Sequence, residues 1–371
     1  MILSADETGP LLLSNADVMS VLDMRDAVQA LRIGYDDLRD GMATYVPRID
    51  TFAPTKDPEW FYQFGSMAGV CRSLGYFAIR MKSDVVSWPK GERQQKYAVR
   101  PGLFCGLIMM FEIDSGAPAA IIQDGYLQHL RVGAAASVGT DLLARADACV
   151  LGLLGSGGMA ETYLQGIAEA RTLSEVRVYS PTAANRERFA AAQTAALGIP
   201  VRAYDSAEAV VRGADIVATA TDSMKPTFDP DWLMPGTHVV CVTRRELSAE
   251  LLERSNVIVQ LGYESIPRGV DIPFLDWKAG GMAAYVTGTA EQRAKIPAGT
   301  AAERGSYPTL LEVNAGTAAG RTDDSQISLF VNTGTQGLQF AAVGARALEL
   351  CRAENLGRAL PLDWFVEDIR D

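Results

Sequence analysis

The chain has 371 residues, of which 48% are hydrophobic and 21% charged, so it is long enough for two compact units with a large core. Its formal charge of −11 argues against a general nucleic-acid binder, although a few local arginines can reverse the field around a small anionic ligand. No apolar run reaches the roughly 18 residues of a membrane span. MILSADETGP has early acids and no basic segment before an apolar stretch, so no secretory signal is expected. The five cysteines show no CxxC and no pairing rhythm, and three sit in apolar runs, as expected of a cytoplasmic protein.

In chain order, residues 11–13 read as a strand-like piece. Residues 24–38 read as a helix with Ala27, Leu31 and Tyr35 on one stripe, and Asn15 or Asp17 caps the preceding turn. TYVPRIDTFAP, EWFYQFGSMAGV and YFAIRMKSDVVS are strand candidates. After a polar insert at 89–100, LFCGLIMMFEIDSGAPAAIIQD reads as two strands around Asp114-Ser115-Gly116. The first third is therefore expected to be a mostly antiparallel sheet with an N-terminal helix. Residues 126–146 form a small-residue helix, suited to close packing. Strands then alternate with helices at 149–154, 175–179, 200–203, 214–219, 237–242 and 256–260, which implies a parallel sheet covered on both faces. Residues 261–325 are irregular, suggesting a lid, an insertion or an oligomer contact, and helical character returns at 324–354.

The stretch 148–160, ACVLGLLGSGGMA, carries the strongest signal. A buried strand runs into Gly155-Ser156-Gly157-Gly158 and opens a helix at Met159 and Ala160, the context of a dinucleotide-binding turn. After the next strand, the position of the acid that binds a ribose 2′-hydroxyl is Ser180. With Thr182 and Arg186 nearby, this favours NADP(H) and leaves NAD(H) open. Thr219, Ala220 and Thr221 fall at a strand's carboxyl edge, where ligands sit in doubly wound sheets. His129 and His238 are isolated, without metal-ligand spacing, so no metal site is expected. Arg48, Lys82 and Arg131 each lie on or beside an apolar element. Singly they read as paired or snorkelling bases; together they could clamp a carboxylate and serve proton transfer.

The order Arg48, Lys82, Arg131-Val132-Gly133-Ala134-Ala135-Ala136 and then GSGGMA resembles the ornithine cyclodeaminase/mu-crystallin family, over about residues 15–355. The closing SQISLFVNTGTQGLQFAAVGARALELC is similar to that family's final segment. The resemblance implies an α/β homodimer with a central Rossmann-type doubly wound sheet, residues 129–327 including an irregular insertion around 261–325. It also implies an α+β substrate and dimerisation domain built from both chain ends, residues 1–128 and 328–371. Hydride transfer between nicotinamide and the α-carbon of an amino acid or its imine is implied, with Arg48 and Arg131 on the α-carboxylate and Lys82 binding it or moving a proton. Val132 replaces the family's threonine in that helix. The family's aspartate segment after the fifth strand is shortened here to one containing Thr243, Arg244 and Arg245, so diamine cyclisation loses its acid. An acidic or neutral substrate fits better, with Arg244 or Arg245 facing a second carboxylate or lying as surface charges at a turn. The leading expectation is an imine reductase or amino-acid dehydrogenase. The alternatives are an ammonia-releasing cyclodeaminase with recycled cofactor and a non-catalytic binder of NADPH or a small ligand.

Overall fold

A computed structural model describes residues 9–91, 93–262, 275–278, 281–298 and 307–369. The chain opens with β1 (Leu11–Leu13), α1 (Asn15–Val21) and α2 (Met24–Arg39). Ser14 and Asp17 cap α1 reciprocally, and Asp23 caps α2 by accepting from Asp26 N–H. Asn15 instead accepts from Tyr126 N–H at 2.6 Å, pinning a later helix to this end of the chain. The predicted stripe of Ala27, Leu31 and Tyr35 is buried.

Seven strands follow: β2 (Ala43–Tyr45), β3 (Ile49–Pro54), β4 (Phe61–Cys71), β5 (Tyr76–Ser87), β6 (Gln95–Tyr97), β7 (Cys105–Glu112) and β8 (Pro118–Gln123). The small-residue helix is α3 (Gly125–Leu143). The alternating half comprises β9 (Val150–Leu154), α4 (Gly158–Ala170), β10 (Glu175–Tyr179), α5 (Ala183–Leu197), β11 (Val201–Ala203), α6 (Ala207–Val211), β12 (Ile216–Thr219), β13 (His238–Cys241), α7 (Ala249–Arg254) and β14 (Val257–Gln260). The remainder is β15 (Leu275–Lys278), β16 (Gly281–Val286), α8 (Ala290–Ala294), α9 (Leu310–Asn314), β17 (Ser328–Val331), α10 (Gln336–Ala353) and β18 (Arg358–Ala359).

Two sheets result. The first has eleven strands in the order β15-β16-β3-β4-β5-β7-β8-β1-β18, with β2 on β4 and β6 on β5. It is antiparallel apart from the β1–β8 and β16–β3 pairs. The second has seven strands in the order β11-β10-β9-β12-β13-β17-β14, all parallel. This is the expected α/β architecture of a doubly wound sheet beside an α+β unit that uses both chain ends. Helices α3 and α4 cross where Gly133 and Gly166 meet backbone to backbone; a Cβ on either would collide with the other helix.

Two segments fall across the boundaries drawn from the sequence. Residues 328–331, placed with the C-terminal helical region, form β17 and lie between β13 and β14 in the parallel sheet. Residues 283–286, placed in the insertion, pair with β3 and extend the first sheet. Of that irregular stretch, 263–274, 279–280 and 299–306 lie outside the described residues.

Candidate active site

β9 delivers the chain into Gly155, whose φ is +123° and whose Cα faces the Ala220 carbonyl too closely for a side chain. Gly157 is the N-cap of α4, with no side chain capping it and open space where a Cβ would stand. Ala160 is buried against the core, Met159 packs beside it, and a Cβ on Gly158 would touch the His129 ring. An uncapped helix start beneath an open glycine turn suits a pyrophosphate, so these residues fit a dinucleotide. Ser156 Oγ and Ser180 Oγ are 2.8 Å apart, joining the turn to the end of β10.

Arg186 is buried rather than part of a solvated helix face. It donates to the Ser180 carbonyl at 3.1 Å, pairs with Asp205 and lies over the Tyr179 ring. Thr182 is the N-cap of α5 and makes no side-chain cap bond. At the end of β12, Thr219 and Ala220 are buried. The Thr219 hydroxyl donates to Glu246, as do the N–H and hydroxyl of Thr221, at 3.2, 2.8 and 2.6 Å. Burial pushes the Glu246 carboxyl upward in pKa, and this acid, which sequence reading passed over, fixes the carboxyl edge of the sheet.

The second group stands on the antiparallel sheet. Arg80, Lys82 and Asp84 alternate along β5 and therefore share one face. Lys82 lies opposite Gly65 on β4 and Gly106 on β7, and Gly65 lies opposite Asp50 on β3. A Cβ at Gly65 would stand 2.8 Å from Asp50 Oδ1, and one at Gly106 would fall on the Asp124 carboxylate, so these glycines make room for charge. Arg48 donates to Asp50 Oδ1 from Nε and Nη2 at 3.0 and 2.9 Å. Lys82 pairs with Asp84, and Arg80 donates to Asp124 from Nε at 2.7 Å. Burial draws the Lys82 pKa down to about 7, with Lys96 and Arg48 adding to the depression and Asp84 opposing it.

Arg131 reaches this face from α3. Its guanidinium donates to Gln339 at 2.8 Å and Gln128 at 2.9 Å, both neutral amides, while Nε is buried without a partner. Arg80 and Arg131 lie over the same Phe340 ring of α10, at 5.6 and 4.8 Å from its centroid. Gln339 also bonds the Thr335 and Tyr35 hydroxyls; Thr335 has a φ of +56°, backbone strain held by that network. The structure thus gathers Arg48, Lys82 and Arg131 with Arg80, Asp50, Asp84 and Asp124, none of which sequence reading singled out. The spacing R-M-K-S-D was the available signal.

Arg244 is buried, donates to Gln260 at 2.6 Å and lies over the Tyr307 ring; Arg245 meets the Met224 sulfur. Neither is a plain surface charge. His238 is buried against Ser328 Oγ at 2.9 Å, and burial draws its pKa down to about 3, a structural role. No helix among the described residues is long and apolar enough to cross a membrane.

A family model described as ornithine cyclodeaminase/mu-crystallin matches residues 10–343. The chain is 29% identical over 260 residues to a putative dehydrogenase of Rhizobium meliloti, covering 68% of this chain and 72% of that one. It is 26% identical over 234 residues to a delta(1)-pyrroline-2-carboxylate reductase of Bacillus cereus, covering 62% and 66%. The fold is similar to that of Thermococcus litoralis delta(1)-pyrroline-2-carboxylate reductase in complex with NADH and L-proline. That match has a TM-score of 0.71 at 23% identity, over 94% of this chain and 100% of that one. With the residue order of the two sites and a match over this span, the chain belongs to the ornithine cyclodeaminase/mu-crystallin family.

Proposed function

We propose that this chain is an NAD(P)-dependent oxidoreductase acting on the C–N bond of an imino or amino acid. Arg131 carries the reading: a buried guanidinium that, among the described residues, is hydrogen-bonded only to neutral amides, with Nε unpartnered, suits a carboxylate that completes its bonding. Residues 155–160 would hold the cofactor's phosphates, and Ser180, Thr182 and Arg186 its adenosine ribose, with NADP(H) favoured because Ser180 stands at the end of β10 in place of a ribose-binding acid. When bound, the reduced cofactor supplies a hydride for the imine carbon. Lys82 supplies the proton for the nitrogen, for which a pKa of about 7 is well matched. Arg48 assists at the carboxylate. The family resemblance makes a homodimer the working form, and the exposed Val99, Leu103 and Phe104 support a second copy covering that edge. Five cysteines without a disulfide suit the cytoplasm.

The test is net consumption of NADPH, compared with NADH, when a cyclic imine or a 2-oxo acid with ammonium is supplied. Lys82→Met is expected to lower kcat at least about a hundredfold, the scale of lost general acid catalysis, while cofactor affinity persists. Ammonia release from a diamine without net cofactor change would replace this reading with a lyase. Tight NADPH binding without turnover of any of these substrates would replace it with a binding protein.

A further inference from the structure

Among the described residues, the charges on the antiparallel face do not balance. Five cations, Arg48, Arg80, Lys82, Lys96 and Arg131, surround three carboxylates, Asp50, Asp84 and Asp124. Three ion pairs account for Arg48 with Asp50, Lys82 with Asp84 and Arg80 with Asp124. Arg131 and Lys96 are left over. Arg131 is bonded to amides. Lys96 makes no hydrogen bond and no ion pair with any described residue; its ammonium lies 6.0 Å from the centroid of the Phe104 ring.

Lys96 stands on β6, directly opposite Val86 of β5. Opposed residues point to the same face, and Val86 continues the alternation of Arg80, Lys82 and Asp84, so Lys96 emerges on the charged face. Its ammonium is the strongest charged influence on Lys82, and it also acts on His129, which stands beside the Gly158 turn. Lys96 therefore stands on the same face of the sheet as Lys82, with its charge acting on both Lys82 and His129. Desolvation by neighbouring atoms draws its own pKa down, yet the residue is exposed. Arg131, buried and bonded to neutral amides, calls for a negative charge on the ligand, and Lys96, exposed on the same face without an ion pair to a described residue, is free to take a second one.

We propose that Lys96 binds a second carboxylate of the substrate, so that the cleft takes amino and imino dicarboxylates, with Arg131 on the α-carboxylate. This rests on the oxidoreductase reading, and it moves the second-carboxylate role from Arg244 or Arg245 to a residue of the polar insert.

The experiment measures kcat/KM with reduced cofactor and ammonium for chain-matched 2-oxo acids: oxaloacetate against 2-oxobutyrate, and 2-oxoglutarate against 2-oxopentanoate. The dicarboxylate of each pair is expected to be preferred at least about tenfold. Lys96→Met should reduce that preference at least about tenfold, and Lys96→Arg should retain most of it. A preference untouched by Lys96→Met overturns the proposal. So does a loss that falls on the KM of the cofactor, which would make Lys96 a cofactor contact. If neither class turns over and a cyclic imine does not either, the oxidoreductase reading fails on its own terms; whenever neither oxo-acid class turns over, binding decides the substrate class. Succinate and butyrate are then titrated into the NADPH complex by nicotinamide fluorescence. Succinate binding weakened about tenfold by Lys96→Met supports the proposal, and equal binding of the two acids overturns it.

Discussion

Lys82 is set between opposing influences. Desolvation, Lys96 and Arg48 favour its neutral form, and Asp84 favours the ammonium. With Lys82 as the proposed proton donor for reduction, the ammonium would be the active form, so kcat/KM for a cyclic imine should be flat below pH about 7 and fall as pH rises through it. Asp84→Asn removes the largest influence that raises the pKa. The falling limb should then move to lower pH, by about one unit or more, in the kcat/KM profile. An unmoved limb would show that another group governs the profile. At this scale the sequence was only partly legible. Arg48, Lys82 and Arg131 stood out because each charge interrupts an apolar segment. Asp50, Arg80 and Asp84 did not, because an acid two residues from a base reads as local neutralisation, and only the sheet's register turns them into a shared face. Lys96 was hidden inside a polar insert, where nothing in the residue order shows that β6 returns to β5.

At the level of elements, the contact between α3 and α4 ties the site's two halves together, since α3 carries Arg131 and α4 begins at the cofactor turn. Their approach depends on Gly133 and Gly166, each facing the other helix's backbone. Gly133→Ala would place a methyl against the Thr162 carbonyl and force the helices apart. A loss of about 1–3 kcal/mol is expected from overpacking, read as a lowered midpoint in urea unfolding. Because Arg131 moves with α3, substrate KM should rise in the same variant; a stable variant with unchanged KM would mean that the crossing does not set the position of Arg131. The small residues of α3 announced this closeness in the sequence, although not the partner helix. By contrast, β17 was illegible as a strand. Its four residues are all buried between two parallel neighbours, so they show no alternation, and an apolar run so short has no period to separate strand from helix.

Across the whole molecule, the chain passes repeatedly between the sheets. It leaves the first sheet at β8, builds the second through β14, returns to the first for β15 and β16, re-enters the second at β17, and closes on the first through α10 and β18. Sequence reading anticipated the two units, because strand composition changes sharply after α3. It did not anticipate this weaving, which depends on long-range pairing such as β16 with β3. One continuous core cluster runs from Leu13, Met67 and Ile108 of the first sheet to Leu151, Val176 and Val240 of the second. Neither sheet can lose its packing without exposing apolar surface of the other, so unfolding should be a single cooperative transition. Variants keeping only Trp88, beside β5, or only Trp232, between β12 and β13, report on the two halves separately. Their urea transitions should coincide without cofactor. NADPH, the proposed cofactor, at about one hundred times its Kd should stabilise the fold by about 2.7 kcal/mol and move both transitions together, although the glycine turn proposed to hold its phosphates lies only on the second sheet. If NADPH shifts the Trp232 transition and leaves Trp88 behind, the sheets unfold as separate units, and the shared core does not couple the carboxylate face to the cofactor turn.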